Sequence, residues 1–460
     1  MSPTAMARFR SRIPQTRSSK RLLTCTAAAL LVAACGSSST TSGGAGGGNI
    51  KTNGSGHVAF GVLSCFTGTL AVLGQSMLQG SQVAQKVIND GGGVLGKQLD
   101  LSHADTQCDE ADAVPAVHQL LASDNAAGII GPETQEIAAV SPIVSAAKIP
   151  TEFQGGSTIF DKNANQYLWR DSPSDSQLGV AMALYAQKKG YKTAALLFSS
   201  DIAQQTIPKP ITATWQKFGN TIVSNTTVAP GQTSYRTQVQ SVISAHPDVI
   251  FTQLDPATAA VIFQNFKELN NLAIPVVGTD VTSGSDYLKA ITFPVAHADL
   301  TSVYGTNATG AAADNFSTAF AAQNGASAQP IAGANYAYDA VISLALAMDK
   351  AGTTDGPAVI AAIKQVTNPP GTPCDTYAAC LKGIKAGTKV KMDGASGDLI
   401  FNNFNNVFGP YGAFQADAGT GAEAQVQLLS AADLSAATPP DHPAPSAMSL
   451  ENPPPCTRLC

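Results

Sequence analysis

The sequence contains none of the short motifs that are typical of hydrolases or zinc proteins. It has no G-x-S-x-G and no H-E-x-x-H. It has no C-x-x-C, and its six histidines are scattered singly along 460 residues. We therefore expect no metal, no cofactor and no catalytic centre, and we interpret the histidines as structural or solvent-exposed.

After residue 34 the sequence also lacks any apolar run long enough to cross a membrane. Residues 1–34 pair an Arg/Lys-rich start with a short apolar run, which is the pattern of a signal peptide. The run ends in LVAACG, which resembles the lipobox of bacterial lipoproteins, so we expect Cys35 to carry a lipid anchor. The alternative is an ordinary cleavage site followed by an incidental cysteine. Residues 35–56 have the Ser/Gly composition of a flexible tether.

Basic runs are missing from the rest of the chain. Residues 1–34 hold six of the 27 Lys and Arg and none of the 32 Asp and Glu, which leaves a net charge of −11 from Cys35 onward. An acidic protein without a basic-aromatic stripe does not fit nucleic acid. Nucleic acid is therefore excluded as an expected partner.

Cysteine is scarce, with eight in the chain, two of which are Cys25 in the signal peptide and Cys35. The remaining six form an even number, which favours disulfides in an exported domain. The pairs that the spacing allows are Cys374 with Cys380, Cys456 with Cys460, and Cys65 with Cys108.

The stretch Gly91 to Lys97 comes close to a phosphate-binding P-loop, but Gln98 stands where the motif requires Ser or Thr. A P-loop follows a strand and opens a helix. Here the preceding residues have helical spacing and the following ones alternate like a strand. The glycines therefore predict a helix end and a tight turn.

From His57 to about Ser430, short strand-like runs such as HVAFGVLS, TAALLFSS and DVIFTQL alternate with segments of helical spacing. Such alternation indicates parallel sheets built from right-handed βαβ units. The region is longer than one typical core, so we expect two lobes.

The order of these segments resembles that of substrate-binding proteins of ABC transporters for branched-chain amino acids, which have the type I periplasmic-binding-protein fold. The most specific stretch is GVLSCFTGTLAVLGQSMLQGSQVAQKVINDGGGVLGKQLDL, which is similar to the family's first strand, TG loop, GQ helix start and glycine turn. The segments DTQCDEADAVPAV, YLWRDSPSDSQLG, IPVVGTD and NYAYDAVISLALAMDKAG then follow in the family's order.

The resemblance implies an α/β fold with two doubly wound parallel-sheet lobes joined by a three-crossover hinge. The expected first lobe comprises residues 57–172 and 303–368, and the second comprises residues 173–302 and 369–430. We expect residues 431–460, which are rich in proline, to be disordered. The family's ligand lies between the lobes, and a membrane permease recognises the closed form. We expect a monomer.

The resemblance also assigns ligand-binding residues, position by position. Asp280 stands where the family carries an acid that pairs with the ligand's ammonium group. The structural alternative is a cap on the next helix for Asp280, and a helix N-cap or a tight turn for Thr134, Gln135, Gly156 and Ser157. The expected cleft residues are Thr67, Gly68, Leu73, Thr134, Gln135, Gly156, Ser157, Gln253 and Asp280.

Some positions depart from the family pattern. Gln253 and Leu254 stand where an aromatic residue is expected, and Glu133 and Glu136 add negative charge beside the presumed carboxylate site. We expect both glutamates to point into solvent. If they point inward, a neutral amide, a polyol or a cation fits better than a simple amino acid.

The expected function is therefore that of a receptor for a small polar solute at the outer face of the cytoplasmic membrane, delivering an amino acid or a related amide or amine to an ABC permease. A lipoprotein that senses the ligand and signals to a membrane partner is the alternative. A secreted enzyme is a third and weaker reading.

Overall fold

The computed structural model describes residues 49–68, 70–201, 204–291, 300–305, 310–416 and 423–440. The predicted signal peptide, the lipidation site Cys35 and the pair Cys456 and Cys460 lie outside these ranges. Within them, no helix combines the length and the apolar character that a membrane span requires.

The first lobe is built on five parallel strands. They are β1 (Val58–Ser64), β2 (Leu99–Asp105), β3 (Gly128–Ile130), β4 (Thr151–Phe153) and β5 (Leu168–Arg170), in the spatial order β2-β1-β3-β4-β5. The helices between them are α1 (Ala71–Asp90), α2 (Glu110–Ala122) and α3 (Ile137–Ala147). All seven residues of β1 are buried. Its alternate side chains face two separate apolar clusters, as expected for a strand that is covered on both sides.

The second lobe repeats the pattern. Its strands are β6 (Thr193–Ser199), β7 (Thr221–Val228), β8 (Val249–Gln253), β9 (Val276–Gly278) and β10 (Leu300–Gly305), which pair in parallel in the order β10-β9-β8-β6-β7. Its helices are α4 (Asp175–Lys188), α5 (Pro208–Lys217), α6 (Arg236–Ser244), α7 (Pro256–Glu268) and α8 (Gly284–Ile291). The predicted α/β fold with two doubly wound parallel-sheet lobes is confirmed.

The chain then returns to the first lobe. The returning helices are α9 (Ala311–Asn324), α10 (Ala334–Ala351), α11 (Gly356–Thr367) and α12 (Tyr377–Lys385), and a small sheet adds β11 (Thr372–Cys374), β12 (Val390–Gly394) and β13 (Gly397–Asp398). Tyr377, Val390 and Phe401 share one apolar cluster with Phe60 of β1.

Residues 372–407 therefore belong to the first lobe, whereas we expected everything from residue 369 to residue 430 in the second. Helix α12 packs on α1 and α10, and β12 packs on α11 and α12. The hydroxyl of Tyr377 lies 2.9 Å from Gly93 O and 2.6 Å from Asp349 Oδ2. These contacts join residues far apart in sequence, so a local pattern does not show them.

The last described segment completes the second lobe. Strands β14 (Tyr411–Ala416) and β15 (Glu423–Leu429) extend its sheet in antiparallel fashion next to β10. Helix α13 (Ala431–Ala437) follows, with Leu434 and Ala437 in the lobe's core. Residues 431–437 are therefore helical, whereas we expected disorder from residue 431; residues 441–460 lie outside the described part of the chain.

The end of the predicted tether also differs from the expectation. Lys51 N donates to Thr354 Oγ1 at 2.6 Å, and Asn53 Nδ2 donates to Asp100 Oδ2 at 2.7 Å. Residues 49–56 are therefore bonded to the first lobe, because their backbone and amide groups find partners there.

The lobes are connected by three passages of the chain, after β5, after β10 and before β14. The first and third lie side by side: Arg170 N donates to Asn405 O at 2.8 Å, and Val407 N donates to Arg170 O at 3.1 Å. These bonds pin the two passages to each other at the hinge.

The near-P-loop is the turn that the sequence predicts. Helix α1 ends at Asp90 and β2 begins at Leu99. Gly93 has a φ of 71°, and a Cβ there would lie 2.0 Å from Lys97 O. Only glycine fits this left-handed position.

Two disulfides close loops of different size. Cys65 and Cys108 follow the neighbouring strands β1 and β2 and are bonded, with Cα atoms 5.0 Å apart and a sequence separation of 43. Cys374 and Cys380 form the second bridge, with a separation of 6.

We expect the variant Cys65→Ala/Cys108→Ala to lose about 1.7 kcal/mol more unfolding free energy than Cys374→Ala/Cys380→Ala, because the longer loop constrains the unfolded chain more. Urea unfolding of both variants under one condition measures the difference. Equal losses would contradict this account of the two bridges.

Candidate ligand-binding site

A cleft lies between the two lobes and encloses about 1010 Å³, including the solvent at its mouth. Its walls are formed by the loops that follow the carboxyl ends of β3, β4 and β5 in one lobe and of β6, β8 and β9 in the other. This is the edge at which doubly wound sheets bind ligands. A smaller, largely apolar cavity lies within the second lobe beside α7 and has the character of a packing defect in the core.

Six of the nine expected ligand residues line this cleft. Glutamine, threonine and glycine positions of the first lobe occupy one wall, and Gln253 and Asp280 occupy the other. The six are Leu73, Thr134, Gln135, Gly156, Gln253 and Asp280.

The other three expected residues do not line the cleft. Thr67 Oγ1 donates to Asp105 Oδ2 at 2.6 Å, and Gly68 occupies a turn with a φ of 89°. Ser157 is buried and caps a short 3-10 helix by accepting from Ile159 N at 3.4 Å. For Ser157 the structure shows the cap role that we weighed against ligand binding.

We expected Glu133 and Glu136 to point into solvent, but both are buried. Glu133 is 8% exposed and lines the cleft. Desolvation raises its pKa to about 8, and the charges of Glu136 and Asp280 act in the same direction. Glu136 is fully buried behind it and accepts a hydrogen bond from Thr106 Oγ1. Desolvation also raises the pKa of Glu136.

Asp175 is a cleft residue that we did not anticipate. It is the first residue of α4, and it accepts a hydrogen bond from Thr206 Oγ1. Burial raises its pKa to about 7, although the Thr206 bond and the charge of Arg170 oppose that shift. Gly156 makes room for it, since a Cβ on Gly156 would lie 2.1 Å from Asp175 Oδ1.

Asp280 begins a short 3-10 helix directly after β9 and is exposed to the cleft. Although its side chain is exposed to the cleft, desolvation by the groups around it raises its pKa. Asp280, Asp175 and Glu133 place carboxylates of both lobes in one cleft.

Three tyrosines give the cleft an aromatic surface. Tyr304 stacks on Phe414, with ring centroids 4.0 Å apart, and donates to Glu423 Oε2 at 3.2 Å. Tyr336 is the third residue of α10, and its hydroxyl packs so closely on Gly305 that a Cβ there would lie 1.6 Å from it. Tyr411 begins β14. They come from three distant segments, none of which is the stretch at Gln253 and Leu254 where the resemblance placed an aromatic residue.

The cleft also contains buried amide groups with open hydrogen-bonding capacity. Gln204 is 1% exposed and Gln253 is 9% exposed. Within the described ranges, the Oε1 atom of each has no hydrogen-bond partner. Such acceptors are stabilised when a ligand donates to them.

No Lys, Arg or His occurs among the described residues that line the cleft. The charge of Arg170 lowers the pKa of Asp175, but Arg170 does not line the cleft and its guanidinium is bonded to other groups. Its Nη2 pairs with Asp161 Oδ1 at 2.5 Å, and its Nη1 donates to Ser157 O at 3.0 Å and to Gly156 O at 3.3 Å. The accessible charge in the cleft is therefore of one sign.

One group of three possible metal ligands is present in the described part of the chain, namely Cys65, Cys108 and Glu136. Both cysteines are bonded to each other, so this group offers no thiolate.

Two parallel-sheet lobes with a polar cleft between them are the architecture of a bilobal binding protein. The family model described as periplasmic binding protein matches residues 57–380, and the chain belongs to that family. Leu/Ile/Val-binding protein homolog 3 of Brucella melitensis is 24% identical over 319 residues, which cover 66% of this chain and 82% of that protein. Leu/Ile/Val-binding protein BraC3 of Rhizobium johnstonii is 24% identical over 248 residues, covering 51% and 67%.

Solved structures share the fold. The leucine-binding protein LivK from Thermotoga maritima superposes with a TM-score of 0.68 at 18% identity, covering 82% of this chain and 99% of that one. LivJ from Streptococcus pneumoniae, in complex with isoleucine, gives 0.67 at 20% identity and covers 81% and 99%. A solute-binding protein from R. palustris in complex with benzoate gives 0.66 at 17% identity and covers 82% and 97%. The resemblance to the branched-chain amino acid group and the solute-receptor class are confirmed.

Proposed function

We propose that this chain captures a small polar solute between its lobes, outside the cytoplasmic membrane, and delivers it to an ABC permease. The carrying observation is the division of polar groups between the walls. Glu133 belongs to the first lobe, and Asp175 and Asp280 belong to the second. A solute that contacts both sets links the lobes and favours the closed hinge.

The relatives support a solute of modest size. The curated relatives are Leu/Ile/Val-binding proteins, and two of the solved structures hold isoleucine and benzoate. The N-terminal sequence supports the location, since residues 1–34 have the pattern of a signal peptide and Cys35 follows a stretch that resembles a lipobox. A diacylglyceryl group on Cys35 supplies two acyl chains, which is enough for stable anchoring.

A thermal-shift screen with amino acids, amides, polyols and amines tests the receptor function. A compound present at 100 times its Kd adds about 2.7 kcal/mol to the unfolding free energy. Small-angle X-ray scattering should then show a smaller radius of gyration, because the hinge closes. Stabilisation without compaction would contradict capture between the lobes.

We expect Asp280→Asn to weaken binding of the stabilising compound by at least about tenfold, because it removes a charge aimed at the solute. Isothermal titration measures the change. Asp90→Asn is the matched control, since Asp90 is an exposed partner of Lys86 on α1. An unchanged Kd for the Asp280 variant would remove this residue from the site.

A further inference from the structure

The strongest unexplained feature of the cleft is its charge. Three carboxylates line it, from Glu133, Asp175 and Asp280, and the described lining holds no basic side chain. The carboxylates repel one another electrostatically, since the charge of Asp280 raises the pKa of both Glu133 and Asp175. An anionic solute would add a further negative charge without finding a cation.

Two uncharged groups have the same preference, whereas a third cleft residue, Gln154, has an unpartnered donor, Nε2, within the described ranges. Gln204 and Gln253 each present a buried amide oxygen that has no partner in the described part of the chain. These oxygens are acceptors only, and a solute with N–H groups supplies the donors they lack. The tyrosine ring of Tyr304, held by its stacking on Phe414, adds a face that attracts cations.

The amino end of α3 is the natural place for a solute carboxylate, because helix N-termini attract anions. Here Glu136 is the residue that precedes the helix, and Glu133 lies three residues earlier. Both side chains are buried at this end. The helix terminus is therefore already flanked by two acids of the protein itself.

We propose that the solute is an organic cation with several N–H donors, an amine or a guanidine that lacks a carboxylate of its own, held by Glu133, Asp175 and Asp280. This inference rests on the proposed receptor function and specifies the class of solute. The three acids meet its charge, and Gln204 and Gln253 accept from its remaining donors.

Binding of such a cation has a consequence for protons. The pKa of Glu133 is raised to about 8 and that of Asp175 to about 7. The neighbouring charges are Glu136 and Asp280 for the first, and Arg170, Asp280 and Asp161 for the second. A bound cation favours the ionised carboxylates, so protons are released on binding and affinity rises with pH up to about 8. A carboxylate-bearing solute would produce the opposite, namely proton uptake and falling affinity.

The test is isothermal titration of the full chain with agmatine, putrescine, lysine amide and arginine amide, and with leucine, benzoate and glycerol as contrasts. We expect at least one cation to bind at least about tenfold more tightly at pH 8.5 than at pH 6. Agmatine is the preferred probe because its guanidinium stays charged at both values. Titrations in buffers of different ionisation enthalpy should show proton release.

Glu133→Gln gives an independent readout. It should weaken binding of the cation by at least about tenfold at pH 8.5, where Glu133 is ionised, and by little at pH 6, where it is protonated. Asp90→Asn should change neither value. A loss that is equal at both pH values would mean a steric effect and would overturn the role of the charge.

Other results separate the two proposals. Compaction and binding with leucine, benzoate or glycerol, in the absence of any cation binding, would overturn the cation inference and leave the receptor function intact. Binding of no compound in either set, with unchanged scattering, would overturn the inference and remove the support for the receptor function as well.

Discussion

Replacing Arg170 by Met is expected to lower the unfolding free energy by about 3–5 kcal/mol, which is the usual effect of breaking a buried ion pair. Arg170 is 0% exposed, and its guanidinium lies 2.5 Å from Asp161 Oδ1. Methionine keeps an unbranched chain but leaves the Asp161 carboxylate buried with only hydroxyl donors, from Ser174 and Ser176. The remaining unpaired charge is the main source of the loss.

A double-mutant cycle identifies the charge as the cause. Arg170→Met/Asp161→Asn removes both charges and retains an amide near Ser174 and Ser176, so we expect it to recover much of the lost stability. Denaturant unfolding of the two single variants and the double variant measures the coupling. Additive losses would show that packing, rather than charge, explains the effect of Arg170→Met.

The Arg170–Asp161 pair lies beside the hinge and the cleft wall. Arg170 ends β5, and its backbone bonds to Asn405 and Val407 hold two interlobe passages together. Its side chain also bonds to the carbonyl of Gly156, which lies in the cleft wall. The same residue thus supports the hinge and a loop that lines the cleft.

Much of the fold could be predicted because its signals are local. Neighbouring residues are enough to predict the buried strand β1, the end of α1 at Asp90 and the glycine turn before β2. The lobe boundary near residue 369 was wrong because Tyr377 and Phe401 meet their partners on α1, α10 and β1 across long sequence distances.

The site was predictable only in part, for the same physical reason. A family match locates the loops that reach the cleft, so Thr134, Gln135 and Asp280 were found there. It does not fix the direction of a side chain: Glu133 turns inward, and Ser157 turns to cap its own helix. Tyr336 was within reach of sequence reasoning, because a tyrosine in the first turn of a helix that opens at the cleft is placed to contact the solute.

The protein without solute is expected to lose several kcal/mol of unfolding free energy as the pH rises from about 4.5 to about 8. A tenfold difference in the proton affinity of a group between the folded and unfolded chain corresponds to about 1.4 kcal/mol. Burial raises the pKa of Glu133 to about 8, of Asp175 to about 7 and of Asp339 to about 6, from ordinary values of 4.5, 3.8 and 3.8. Below the ordinary values both states are protonated. Between the two sets of values only the unfolded chain ionises, so stability falls with pH and levels off above about 8.

Glu133→Gln separates the contribution of the cleft from that of the core. The amide cannot ionise, so this variant should match the parent near pH 5 and exceed its stability by a few kcal/mol near pH 8.5, as measured by urea unfolding in the absence of any solute. Asp90→Asn should follow the parent throughout, and a parent stability that is constant between pH 5 and pH 8 would refute the assignment.

An acid that destabilises the empty protein where glutamine would not is suited to a task other than folding, because strongly perturbed ionisable groups in clefts are typical of functional sites. We expect a bound cation to restore the lost stability by pairing with the same carboxylate, which would link the pH dependence of folding to that of binding.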